Sequence, residues 1–117
     1  MPEWDASPVS GRVLIARLAE QVVAVDDAVS ATAGRERRWV TADGDRVIDG
    51  VVVAAAGRGR VDVQLHVVAL WPTGPLQELA AQLRLRLRRS FSIAGVGDQV
   101  GDVDVAFHDV RARDEVC

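Results

Sequence analysis

A single α+β domain is the fold this sequence predicts, on three observations. Val61, Val63, Leu65 and Val67 alternate with more polar residues, as do Val103, Val105 and Phe107, and period-two alternation is the mark of a half-buried strand. Between these runs, Leu76, Leu79, Ala80, Leu83, Leu87 and Phe91 recur at the spacing that lines one face of a helix. A chain of 117 residues, 49% of them hydrophobic, has enough apolar surface for one core and little to spare for a second. The expected order is α-β-β-α-β, with a small mixed or antiparallel sheet and both helices on one face. The domain spans 10–112, between an irregular N-terminal arm (1–9) and a C-terminal tail (113–117).

Ser10 is a plausible N-cap, and Leu14, Ile15, Leu18, Val22, Val25 and Val29 then fall on one helical face opposite Arg17, Glu20 and Asp27. This predicts a first helix ending before Gly34. The next stretch is charged through Arg35, Glu36, Arg37 and Arg38, turns briefly apolar at Trp39 and Val40, and breaks at Asp43-Gly44, which fits a loop or an extra short strand near 38–42. The run from Val47 to Ala56 is rich in β-branched residues and reads as a strand. Gly57 and Gly59 supply a turn, so the stretch from Val61 to Leu70 returns antiparallel as a hairpin partner. Pro72, Gly74 and Pro75 stop that strand and start the second helix. A last strand, from Asp102 to Val110, follows parallel to the one from Val61 to Leu70, because a helical crossover separates them. Val51, Val52 and Val53, apolar on both faces, place their strand at the centre, with the last strand antiparallel beside it.

Composition narrows the function. The net charge of -3 opposes a general nucleic-acid footprint, which needs surplus basic charge. All 14 basic residues are arginine, a pattern of codon bias more than of any one site. Cys117, the single cysteine, cannot form an intrachain disulfide. The acidic N-terminus does not read as a secretory signal, and no apolar run approaches a membrane span, so the expected location is cytoplasmic, with membrane contact only through a partner.

Chemistry-bearing residues form no constellation in the sequence. His66 and His108 each fall out of phase with the apolar face of their strands. With another strand between them, their backbones would stand about 10 Å apart, too far for shared coordination at bond lengths of about 2 Å. No metal site, cofactor or catalytic residue is expected. No serine sits in a nucleophile elbow, and the Gly57-Arg58-Gly59-Arg60 tract joins two strands without opening a helix to hold a phosphate. The sharpest local feature is Arg84, Arg88 and Arg89 around an exposed Leu85 on the second helix. With Trp39 as a possible anchor, and His66, Val68 and His108 on the open sheet face, these residues make the candidate interaction surface.

Across the region from Gly11 to Val110, the chain resembles the alkaline shock protein family, the envelope stress response family of Gram-positive bacteria. The stretch from Val61 to Leu70 is similar to that family's strand of alternating valine and polar residues, and Leu76-Gln77-Glu78-Leu79-Ala80 to its following helix. The stretch from Val103 to Val110 is similar to its closing strand, Asp45 to Val51 to its entry into the first hairpin strand, and the all-arginine composition to a high-GC actinobacterial member. The chain departs from the pattern at Trp71-Pro72-Thr73-Gly74-Pro75, and at Val25-Asp26-Asp27-Ala28-Val29, which replaces a Pro-Gly-Val. The resemblance implies a non-enzymatic, stress-linked homo-oligomer recruited to the membrane by an anchored protein partner. An α-β-β-α-β order also suits a small KH-like nucleic-acid-binding module using the arginine-bearing helix, although the Gly-x-x-Gly element of that fold is missing.

Overall fold

The structure, a computed structural model, describes residues 8–72 and 74–112, with side chains from Gly11 onward. The expected arm and tail, including Cys117, lie almost wholly outside the described residues. Helix α1 (Pro8–Ala24) leads into β1 (Val29–Ala31), then a hairpin of β2 (Val40–Asp43) and β3 (Arg46–Asp49). Strands β4 (Val51–Gly57) and β5 (Arg60–Trp71) form a second hairpin, and α2 (Leu76–Ile93) and a 3-10 turn (Gly97–Gln99) lead to β6 (Val100–Ala112). This is an α+β fold, with the two helices against one face of a mixed sheet.

The first helix is shorter than its apolar pattern predicts. It ends at Ala24, and the Asp26 carboxylate accepts the Ala28 N–H at 2.8 Å, a local turn that competes with continued helix. Val29 therefore begins a strand that sequence reading had merged into the helix. The buried face is also rotated. Ile15, Ala16, Ala19 and Val23 are inside, whereas Leu14 and Val25 are exposed. Small alanines let α1 sit close to the sheet while the β2–β3 hairpin and α2 flank it, so Leu18 and Val22 pack at its sides. Two ion pairs fasten the hairpin to the helix, Arg17–Asp43 and Arg46–Glu20, both at 2.7 Å. Ile48, fully buried, carries the hairpin's contribution to the core.

The second helix follows its stripe. Leu79, Ala80, Leu83, Leu87 and Phe91 are buried, and each large member contributes roughly 1.5–3 kcal/mol by leaving water.

Strand β5, and not the one beginning at Val51, is central. Its N-terminal half pairs antiparallel with β4 (Val51↔Leu65 to Gly57↔Arg60), and its C-terminal half pairs antiparallel with β1 (Val29↔Ala69 to Ala31↔Val67). The other edge carries β6, parallel along the whole length. The expected antiparallel docking of the last strand beside β4 is thus corrected. Both faces of the later half of β5 are apolar, Val67 and Ala69 toward the helices and Val68 and Leu70 away, and only a central strand covered on both sides buries both. The stretch from Val47 to Ala56 is not one strand either, because Gly50 breaks it at φ +80°.

Candidate functional site

The site forms where the regular sheet is interrupted on both edges of β5 at the level of His66. On one edge, β4 hands over to β1. The His66 N–H donates to the Gly50 carbonyl at 2.7 Å, and the His66 carbonyl accepts the Thr32 N–H at 3.0 Å. Gly50 in turn donates to the Trp39 carbonyl at 2.6 Å. A Cβ on Gly50 would stand 2.8 Å from the His66 carbonyl oxygen and 2.9 Å from the Ala31 Cβ, so only glycine fits. On the other edge, Val67 pairs with Phe107 and Val68 with Asp109, which leaves His108 as the extra residue of a bulge.

That bulge aims His108 at His66. Nδ1 of His66 lies 2.8 Å from Nε2 of His108, and Nε2 of His66 lies 3.3 Å from the Gln64 side-chain oxygen. The ring centroids are 5.0 Å apart, the separation that an edge-to-edge N···N contact produces, so the imidazoles lie side by side. Trp39 roofs both, 4.6 Å from His66 at 2° between planes and 3.9 Å from His108 at 20°. The indole folds back over the β1–β2 loop, where Gly34 leaves room for it. A Cβ there would come within 2.7 Å of the ring.

The hydrogen bonds select the tautomers. Gln64 offers an oxygen, so a neutral His66 carries its proton on Nε2 and accepts at Nδ1, and His108 donates from Nε2. Burial, and secondarily His108, pushes the His66 pKa below its usual value. His66 is 7% exposed and Val68 4%, so neither lies on a bare surface as expected, whereas His108 is exposed; half-buried Trp39 stacks on His66, and Val68 lines the groove beside the Trp39 loop. The expected wide separation of the histidines is likewise corrected, since no strand lies between β5 and β6.

Beside the cluster, a groove of about 660 Å³ is lined by Thr32, Gly34, Arg35, Arg38, Val68, His108 and Arg111, among others. Arg38 pairs with Glu36 and Arg111 with Asp109, both at 3.0 Å and both solvated, so these contacts are easily exchanged. Among the described residues, no three His, Cys, Asp or Glu side chains gather as a metal site.

The arginine-bearing helix face lies elsewhere, on α2. Leu85 is exposed there, with Arg84, Arg88 and Arg89 around it. Two guanidiniums of this helix are engaged internally. Arg86 binds Asp26 at 2.9 Å, and Arg88 donates to the Gly101 carbonyl at 2.8 Å. Engagement of this kind takes basic groups from a phosphate-tracking face and favours structural roles for both. Trp71, at the end of β5, is 60% exposed.

No family model, curated protein or solved structure matches the chain. Among the described residues, no helix is long and apolar enough to cross a membrane.

Proposed function

We propose that this protein is a non-catalytic, self-associating binding module of the envelope-stress type, cytoplasmic and brought to the membrane by an anchored protein partner. One observation carries the self-association: β6 pairs with β5 alone, which leaves its outer rim open from Val103 to Phe107 among the described residues. An unpaired rim of backbone donors and acceptors is a template for another strand. The occupant we favour is β6 of a second copy, antiparallel about a two-fold axis. Bulges near Asp102 and at His108 bracket a regular stretch from Val103 to Phe107, and that stretch sets the ladder. Centred on Val105, such a pairing brings Asp102 opposite His108 of the copy, an attraction whenever that imidazole is charged. The overall likeness to the alkaline shock protein family agrees with a scaffold that works through surfaces.

Light scattering over a dilution series tests the reading. A mass that rises above the 12.6 kDa chain with concentration supports it. Hydrogen exchange locates the contact, because amides between residues 103 and 107 gain protection at high concentration if the rim pairs. A monomer at every concentration, or protection gained only elsewhere, refutes it.

A further inference from the structure

We propose that the His66–His108 pair is a proton-binding latch, which holds the Trp39-bearing loop against β5 while the two rings share a hydrogen bond and frees the loop when both rings are charged. The latch stands on geometry independent of the β6 rim. Two imidazoles 2.8 Å apart hold a hydrogen bond only if one nitrogen at the contact lacks a proton. One added proton can be held on Nδ1 of His108, away from the contact. It leaves the bond intact and makes His108 a cation under the indole, an arrangement the aromatic face favours. A second proton has only Nδ1 of His66 to occupy, in the place of the hydrogen bond, and sets two positive charges side by side.

His108 is exposed to solvent, but His66 is not, and among the described residues no carboxylate is bonded to the His66 ring to offset its charge. From the β1–β2 loop come Arg35, Glu36 and Arg38, and from β6 come Asp109 and Arg111. Glu36 is bonded to Arg38 and Asp109 to Arg111, while the His66 ring hydrogen-bonds only to His108 and the neutral Gln64 among the described residues. From the junction on the other edge, Gly50 presents only backbone. Val68, which is 4% exposed, lines the groove together with residues of that loop, so release of the loop bares it.

The direction of the pH dependence follows from linkage. A histidine whose folded pKa lies below its unfolded value of 6.5 stabilises the closed state fully above pH 6.5, and that contribution falls as pH drops toward the folded value. Asp43 and Asp109, each hydrogen-bonded to an arginine, are held below the ordinary carboxylate range, so loss of their charge belongs to a lower pH than opening of the latch.

The test uses the full chain carrying Trp4→Phe and Trp71→Phe, so that Trp39 is the only indole. Between about pH 7.5 and 5, acrylamide quenching of Trp39 should rise several-fold while the far-UV circular dichroism holds. His66→Gln and His108→Gln should abolish that change. Imidazole NMR of the unmutated protein, which needs no variant to fold, should show two separate titration steps, with that of His66 below 6.5. Three results would each overturn the latch: quenching that stays flat, a transition that survives in both glutamine variants, or two rings titrating independently near 6.5. Loss of the far-UV signal together with Trp39 exposure would do the same, since it would mean global unfolding.

Discussion

Replacing Gly50 by alanine should be among the most damaging single-methyl additions available in this chain. Its φ of +80° lies where an L side chain costs roughly 1–2 kcal/mol. The added Cβ would also stand 2.8 Å from the His66 carbonyl, 2.9 Å from the Ala31 Cβ and 3.0 Å from the Thr32 nitrogen. Two of these are backbone atoms that hydrogen-bond to each other across the β1–β5 junction, so relief requires moving strands, an overpacking cost of roughly 1–3 kcal/mol. Stiffening of the unfolded chain returns about 0.4–1 kcal/mol. The net expectation is a loss of about 3 kcal/mol. Gly57 is the matched control. Its φ is +88°, but a Cβ there meets nothing within 4 Å, so Gly57→Ala should carry only the conformational part, about 1 kcal/mol. In urea the two variants should differ by about 1 M in midpoint at unchanged slope. If Gly50→Ala proves no less stable than Gly57→Ala, the steric account of the junction is wrong.

Leu83→Ala, at a fully buried position of α2, should cost about 2–5 kcal/mol in the same assay. Asp43 is held below the ordinary carboxylate range chiefly by its hydrogen bond from Arg17, so the stability it gives is present above pH 3.8 and lost as pH falls through its folded value. Asp43→Asn should flatten that acid limb of a stability-against-pH curve. Trp39→Ala and His108→Ala should be non-additive by about 0.5–3 kcal/mol, since their rings stack at 3.9 Å, as measured by a double-mutant cycle in denaturant. Arg84→Ala, exposed on α2, should leave stability within about 0.5 kcal/mol by thermal melting.

What could be read from residues alone was whatever depends on local period. The α2 stripe from Leu79 to Phe91, the glycine turn at Gly57–Gly59 and the parallel return of β6 all follow from spacing and from the length of a crossover. Strand order does not. Val51 to Val53 and the stretch from Val67 to Leu70 are both apolar on two faces, and alternation cannot say which strand is central. Length does not separate them either, because the expected strands, Val47 to Ala56 and Val61 to Leu70, are equally long; only in the structure does β5 reach 12 residues against seven for β4, enough to pair with two partners on one edge. The histidine pair was lost with the strand order, and also through the bulge at His108. An inserted residue shifts the face of everything after it, and no composition signal marks it in a parallel pair. The exposure of Leu14 has a similar origin, since an amphipathic pattern fixes a face only to within a residue when alanines can also line it.

The irregularities of this sheet coincide. Gly50 ends one neighbour of β5 where Thr32 begins the next, and on the far edge the extra residue, His108, falls at the same level. Each interruption leaves backbone groups that a regular ladder would have paired, and such defects persist only where surrounding contacts over-determine them. Here each supports another. Gly50 donates to the Trp39 carbonyl, the indole needs the missing side chain of Gly34 to fold back, and its face rests on the two imidazoles that the bulge brings together. Removing one member strands polar groups of the others in a covered place, which is costlier than the loss of the single contact. A sheet needing only to be stable would be better served by an unbroken strand. That all these departures from regularity converge on a titratable pair, with the His66 ring buried and His108 exposed at its edge, is the strongest physical reason to look for function there first.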